Sequence, residues 1–337
     1  MKLIMPSYCK DFKCIASACR DNCCIGWEID IDEETKAFYD SVTGPFRESL
    51  LNGIADGETP CFKLKNERCA FLNSDNLCEI YISLGEKHLC QICRDHPRYY
   101  EWFDDRIEGG TGLCCEESAR LILTSSNPFS FFLSEKDDEP SDSYDKQQYD
   151  FLFSLRERFF EILKKDDASL YERLHTIYTE SLLEATPENK PAEDLGLTLF
   201  FDALYSLEEM GREWKATTEK LKEQKYAIKL LLPLVIKEYE KEFTNLSVYF
   251  IWRYFLKALY DGMIKEKVYL LIFSVLTVAC VFALKKLQNK NAGLEELITC
   301  AKDCSKQIEY SEENLFAIEE FSFVKSISAE KLLSALI

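Results

Sequence analysis

Twelve of the fifteen cysteines fall within the first 115 residues: 9, 14, 19, 23, 24, 61, 69, 78, 90, 93, 114 and 115. At about one residue in ten, sulfur at this density marks a segment held by disulfides or by metal. Compartment decides between the two. The opening residues, Met-Lys-Leu-Ile-Met-Pro-Ser-Tyr-Cys-Lys-Asp, offer no apolar run of secretory length and no small-residue cleavage site. The expected location is therefore the cytoplasm, where thiols stay reduced, and thiolate ligands are expected in preference to disulfides.

The rest of the chain has a different character. Its 337 residues suggest two domains. A net charge of −18 argues against a nucleic-acid partner and against attachment to anionic lipid. Neither G-x-G-x-x-G nor G-x-x-x-x-G-K-[ST] occurs, so no glycine-rich phosphate loop is expected. Residues Ser134 to Asp150 carry seven acids, two lysines and a proline, the composition of an exposed linker. Beyond it, apolar residues recur at intervals of three and four, predicting helices over Phe151–Lys165, Leu170–Glu184, Leu195–Met210, Leu230–Phe243, Leu246–Tyr260, Val268–Leu287, Leu294–Cys304 and Ala329–Ile337. A turn is expected over Thr186–Pro191. The stretch Val268–Leu284 is 17 residues without a charge, at the short edge of what spans a bilayer. Lysines flank it on both sides, so a core helix surrounded by others is the expected state. The predicted fold class is mainly α: a cysteine-rich metal or cluster domain over 1–133, an acidic linker over 134–150, and an all-α helical bundle over 151–337.

Cysteine spacing narrows the chemistry. The first group is Cys14-x4-Cys19-x3-Cys23-Cys24, followed by Gly26-Trp27. The second is Cys69-x8-Cys78, then Cys90-x2-Cys93 with His96-Pro97-Arg98, and finally Cys114-Cys115. Zinc sites are built from C-x2-4-C pairs, a spacing met here by Cys90 and Cys93. Iron–sulfur clusters need four thiolates and accept more irregular spacing. The radical-generating C-x3-C-x2-C pattern begins at Cys19 and Cys23 but fails at Gly26.

The run Phe12-Lys13-Cys14-Ile15-Ala16-Ser17-Ala18-Cys19-Arg20-Asp21-Asn22-Cys23-Cys24-Ile25-Gly26-Trp27 resembles the opening of the flagellin lysine-N-methylase family. The likeness continues through Cys69-Ala70-Phe71-Leu72, Leu77-Cys78-Glu79-Ile80-Tyr81, Leu84-Gly85-Glu86, and Cys93 with Pro97-Arg98, ending at Cys115-Glu116-Glu117-Ser118-Ala119-Arg120. It covers residues 8–123 and is similar also to small zinc- or iron-chelating cysteine-cluster proteins. The resemblance implies methyl transfer from S-adenosylmethionine to lysine side chains of flagellin, assisted by a [4Fe-4S] cluster, with zinc the alternative metal. Position by position, it puts the family cysteines at Cys14, Cys19, Cys23, Cys24, Cys69, Cys78, Cys93 and Cys115. Cys9, Cys61, Cys90 and Cys114 fall outside that set. Glu116 stands where the family usually has proline, and His96 where tyrosine is commoner; neither departure is expected to touch a proposed sulfur ligand.

Other residues carry two readings each. Trp27 and Phe12 flank the first cysteine group, as a shield for a cluster or as a contact for the methyl donor. Arg98 could hold the donor's carboxylate through its planar fork or make a structural ion pair. His96 and His88 are the histidines of the first domain, His96 the better placed as a base or ligand. Gly109-Gly110-Thr111-Gly112 is expected to form a turn. Tyr249, Tyr254 and Tyr260 could line a lysine channel, though tyrosine at helical spacing is ordinarily core. The rival to the enzyme is a non-enzymatic protein, stapled by zinc or a cluster, whose helices bind a partner.

Overall fold

The computed structural model describes residues 1–337 except 56, 58, 104–105, 137–144, 183–195, 212, 325–326 and 336–337. The chain is mainly helical and divides into two compact units. One comprises Met1–Asp11, Tyr100–Cys114 and Ser118–Ile337; the other comprises Phe12–Tyr99 with Cys115–Glu117.

In the larger unit, the helix Ile264–Gln288 is apolar on every face, and Val268–Leu284 is buried throughout. A helix with no polar face has to be enclosed. The helices Leu170–Ser181, Trp214–Glu223, Lys225–Glu238, Glu240–Tyr254, Leu294–Glu309 and Glu312–Phe321 all pack against it. It is long and apolar enough to cross a membrane, yet its most hydrophobic window is entirely buried within the protein. Local chemistry fixes the helix ends. Asp145 caps Lys146–Leu163 through the amides of Gln147 and Gln148, and Ser169 with Glu172 forms a capping box on Leu170–Ser181. Gly262, at φ 73°, closes Ala258–Asp261 in the left-handed conformation glycine favours.

The helices differ from expectation in several places. The predicted helix over 230–243 begins at Lys225 and breaks at Tyr239, and the one over 246–260 begins at Glu240. Trp214–Glu223 and Glu312–Phe321 are additional helices. The turn predicted over 186–191 lies outside the described residues, as does 137–144 of the predicted linker. The flanks of that linker are structured: Ser134 and Glu135 end a strand, and Lys146 starts a helix.

The same unit holds a four-stranded sheet in the order Arg98–Phe103, Arg106–Thr111, Lys2–Pro6, Phe131–Glu135. Lys2 pairs with Arg106 in parallel and with Glu135 antiparallel. These pairings draw the N-terminal strand, residues 100–114 and the stretch around Phe131 into the unit that contains the helices. The compact units consequently differ from a division at 133 and 151. The turn expected over 109–112 is also corrected: Gly109, Gly110 and Thr111 are buried strand residues. The Gly109 carbonyl accepts a 3.0 Å hydrogen bond from Trp252 Nε1.

The smaller unit has little regular structure: short helices Glu33–Ser41, Arg47–Asn52, Glu79–Leu84 and Gln91–Asp95, and two-residue strands. Its core joins Ile29, Ile31, Tyr39, Leu50, Phe62, Phe71 and Ile80 to two buried thiols, Cys69 and Cys90.

Candidate metal centre

Backbone pairing within the smaller unit brings distant cysteines together. Leu64–Lys65 and Arg68–Cys69 form a hairpin turning at Asn66 and Glu67, both at positive φ, as a two-residue type I′ turn requires. The hairpin clamps the first cysteine group. Cys69 N donates to the Cys24 carbonyl at 2.9 Å, and Gly26 N donates to Glu67 O at 2.8 Å. Gly26, at φ 94°, makes the bend before Trp27 that a side chain would strain. Glu79 N donates to Phe71 O at 2.8 Å, folding Cys78 back beside the hairpin. Cys78 and Cys90 are then the N-cap residues of Glu79–Leu84 and Gln91–Asp95.

As a result Cys24, Cys78 and Cys93 pack against the core that buries Cys69 and Cys90. Two pairs of neighbouring thiols hydrogen-bond. The Cys24 thiol donates to Cys23 and that of Cys93 to Cys90, and both donors are held well above the ordinary thiol range, with burial adding to the effect. The bond from Cys93 lowers Cys90 despite its burial. Burial pushes Cys69 up to about 11, with the charges of Cys78, Cys90 and Cys23 adding to it. Cys78 is raised by burial too, and by Cys23 and Cys90. Several thiolates can share such a pocket only with positive charge among them, which is how a bound metal inverts thiol ionisation. Among the described residues no three of the His, Cys, Asp or Glu side chains are already disposed around a metal position. The donor set is soft sulfur, suited to iron–sulfur or zinc.

Two other cysteines of the expected set, Cys14 and Cys19, make contacts of their own. Cys14 is exposed, its sulfur accepting from Ala16 N at 3.4 Å. The Cys19 thiol points to Asp21 O at 3.1 Å and Glu116 Oε2 at 3.7 Å. Burial raises Cys19 to about 11, and the charges of Glu116 and Cys115 add to that. Glu116 also accepts from Arg20 N at 2.8 Å and Arg20 Nε at 2.6 Å. The proline-to-glutamate departure therefore acts directly on a proposed sulfur position.

Trp27 is half-buried against the thiol core, its Nε1 donating to Cys23 O at 2.7 Å. The His96 ring is 6.4 Å from it. His88 stacks on Phe38 at 4.2 Å, and its carbonyl accepts from the Tyr39 hydroxyl at 2.8 Å, which makes it part of the core. Arg98 is exposed, its guanidinium 5.2 Å from the Phe12 ring. In the larger unit, the Tyr249 and Tyr254 hydroxyls both donate to Glu309 Oε2, at 2.8 and 2.7 Å, beside Arg253 at 3.0 Å. Those two tyrosines are buried structural groups, whereas Tyr260 is 58% exposed.

Thiol-rich loops in one unit and helices around a wholly apolar helix in the other define a mainly helical protein with a cysteine-rich unit. The description "FliB lysine N-methylase C-terminal domain" matches residues 144–335, more than half of the chain, and the protein belongs to the FliB lysine N-methylase family. Among its relatives are proteins named lysine-N-methylase from Salmonella choleraesuis (strain SC-B67) and Salmonella typhimurium (strain LT2). Each is 29% identical over 143 residues, 39% of this chain and 34% of the relative. The flagellar biosynthetic protein FliU of Salmonella muenchen is 28% identical over 143 residues, 39% of this chain and 81% of its own. The match thus spans about a third of the length of the two lysine-N-methylases. No solved structure matches the chain.

Proposed function

We propose that this protein is a cytoplasmic lysine N-methyltransferase that transfers methyl groups from S-adenosylmethionine to flagellin. The observation that carries the reading is the family match over 144–335, and the flagellar name of FliU supports the substrate. The acidic surface, at net charge −18, fits a protein substrate presenting lysine better than nucleic acid or anionic lipid.

The chemistry sets demands on the chain. A lysine ammonium has no lone pair, and its ordinary pKa is about 10.4. The enzyme must desolvate it or place a base beside it before the amine can attack. The amine nitrogen then takes the methyl group as the carbon–sulfur bond breaks, S-adenosylhomocysteine leaves, and the new ammonium gives up one proton. The displacement requires nitrogen, methyl carbon and sulfur to be held in line.

We assign the [4Fe-4S] cluster, or zinc in its place, to sulfur ligands among Cys14, Cys19, Cys23, Cys24, Cys69, Cys78, Cys93 and Cys115. When bound, such a cluster supplies an iron site able to hold the amino and carboxyl groups of the methyl donor. Trp27, which donates to the Cys23 carbonyl, would shield such a cluster from water, and Arg98, exposed over Phe12, would offer a planar fork for the donor's carboxylate. The test is incubation of the anaerobically purified protein with methyl-labelled S-adenosylmethionine and flagellin. Labelled methyl-lysine in flagellin is expected. Its absence, with the protein folded and metal-loaded, would favour the non-enzymatic reading, to which the zinc-like spacing of Cys90 and Cys93 lends its own support.

A further inference from the structure

We infer that Cys90 is a sulfur ligand of the metal centre, acting with Cys24, Cys69, Cys78 and Cys93, and that Cys14 and Cys19 lie outside that centre. The inference rests on the cluster reading above and changes its ligand set. The family resemblance names Cys93 and passes over Cys90.

Four observations support it. Cys90 is 0% exposed, against 6% for Cys69. It belongs to the same core as Cys69, and Cys24, Cys78 and Cys93 pack against that core. Standing at the N-cap of Gln91–Asp95, it is one helical turn from Cys93, and C-x2-C at a helix start is the spacing by which two sulfurs reach one metal. Finally, its position is held from outside the helix: Gln91 N donates at 2.8 Å to Asp32 Oδ2, fixing the backbone next to Cys90. An inert core cysteine needs burial alone. The neighbouring sulfurs and the anchored backbone are what a ligand requires in addition.

Cys19, by contrast, turns its thiol toward Asp21 O and Glu116, and Cys14 is exposed. Both are held by contacts of their own.

The test uses the full chain, purified without oxygen and reconstituted with ferrous iron and sulfide. Iron, sulfide and zinc contents and the electron paramagnetic resonance spectrum of the reduced protein are compared for wild type, Cys90→Ser, Cys90→Ala, Cys93→Ser, Cys19→Ser and, as a control, Cys61→Ser. Both Cys90 variants should fall below about half of the wild-type iron and sulfide, or show shifted resonances, as Cys93→Ser does. Cys19→Ser and Cys61→Ser should keep the wild-type content and spectrum. Circular dichroism of the metal-free proteins separates loss of a ligand from loss of fold, and the apolar Cys90→Ala variant covers the case in which serine is not tolerated in the core. Wild-type metal content and an unchanged spectrum in folded Cys90→Ala would overturn the inference, as would metal loss in Cys19→Ser. A wild type that takes up neither iron nor zinc would remove the cluster reading itself.

Discussion

Asp32 and Gln91, 59 residues apart, are joined by a 2.8 Å hydrogen bond from the Gln91 amide to Asp32 Oδ2. The same carboxylate accepts from Thr35 N and Thr35 Oγ1, each at 2.9 Å. One side chain thus caps two helix starts, and the second begins beside Cys90. Asp32→Ala should cost about 1–2 kcal/mol in urea unfolding at neutral pH. Burial pushes the Asp32 carboxyl up, but the amides of Gln91 and Thr35 outweigh it and bring it below the usual range. Its contribution is therefore complete above the ordinary carboxylate pKa of about 3.9 and is lost as the pH falls through the lowered value. The gap in stability between wild type and Asp32→Ala should narrow in acid and be unchanged between pH 6 and 8, to within about 0.3 kcal/mol. A gap that widened on acidification would contradict this account of the cap.

In the larger unit, Arg156 and Glu108 form a two-pronged ion pair, 2.5 and 2.9 Å, with side chains 1% and 4% exposed. The pair ties the helix Lys146–Leu163 to the sheet, and Arg156 lies 4.5 Å from the Trp252 ring. Removing one partner leaves a buried charge uncompensated. Glu108→Gln should destabilise by about 3–5 kcal/mol in denaturant titration. Combining it with Arg156→Met should recover part of that loss; strictly additive losses would show that the two do not act as a pair.

Gly53 ends the helix Arg47–Asn52 against the ring of Phe71. A methyl group there would run into that ring, which is itself 2% exposed and packed edge-on to Phe62 at 5.2 Å. Gly53→Ala should cost about 1–3 kcal/mol by overpacking, and because the Phe71 carbonyl holds Glu79 next to Cys78, it should also weaken metal retention against a chelator. Wild-type stability in this variant would mean that the core yields at Phe71.

Thiol reactivity offers a check without metal. In the metal-free protein, exposed Cys14 should be alkylated by iodoacetamide first. Cys69, 6% exposed and pushed up to about 11, should react at least about tenfold more slowly at pH 8, being both less accessible and less ionised. Peptide mass spectrometry over a time course gives the order. Early labelling of Cys69 would show that the core around it opens readily.

The helical part of the fold is legible from residue spacing, since each long helix repeats its apolar positions every three or four residues and Val268–Leu284 announces its enclosure by having no charge. Trp214–Glu223 is harder to see because only Trp214, Thr218 and Leu221 are buried along its ten residues. The pairings of the N-terminal strand leave no local trace. Lys2 pairs with Arg106 and Glu135, and partners more than a hundred residues apart, with two glycines in one strand, produce no period to detect. At the candidate centre, cysteine spacing singles out one segment, and within it Cys24, Cys69, Cys78 and Cys93 share a core, with Cys23 beside Cys24. The sixth neighbour, Cys90, was visible as one half of a C-x2-C pair. Glu116 and Asp32 were not visible as neighbours of Cys19 and Cys90, because a carboxylate gives no sign in sequence of which distant thiol or amide it will meet.

A metal centre formed by thiols of residues 12–99 underlies the proposed function. It is tested most directly by purifying the full chain without oxygen and measuring iron, acid-labile sulfide and zinc on the same sample. About four irons and four sulfides per chain are expected, lost together when a chelator and an oxidant are added. Protein that is folded, carries neither iron nor zinc, and takes up neither on reconstitution would contradict it.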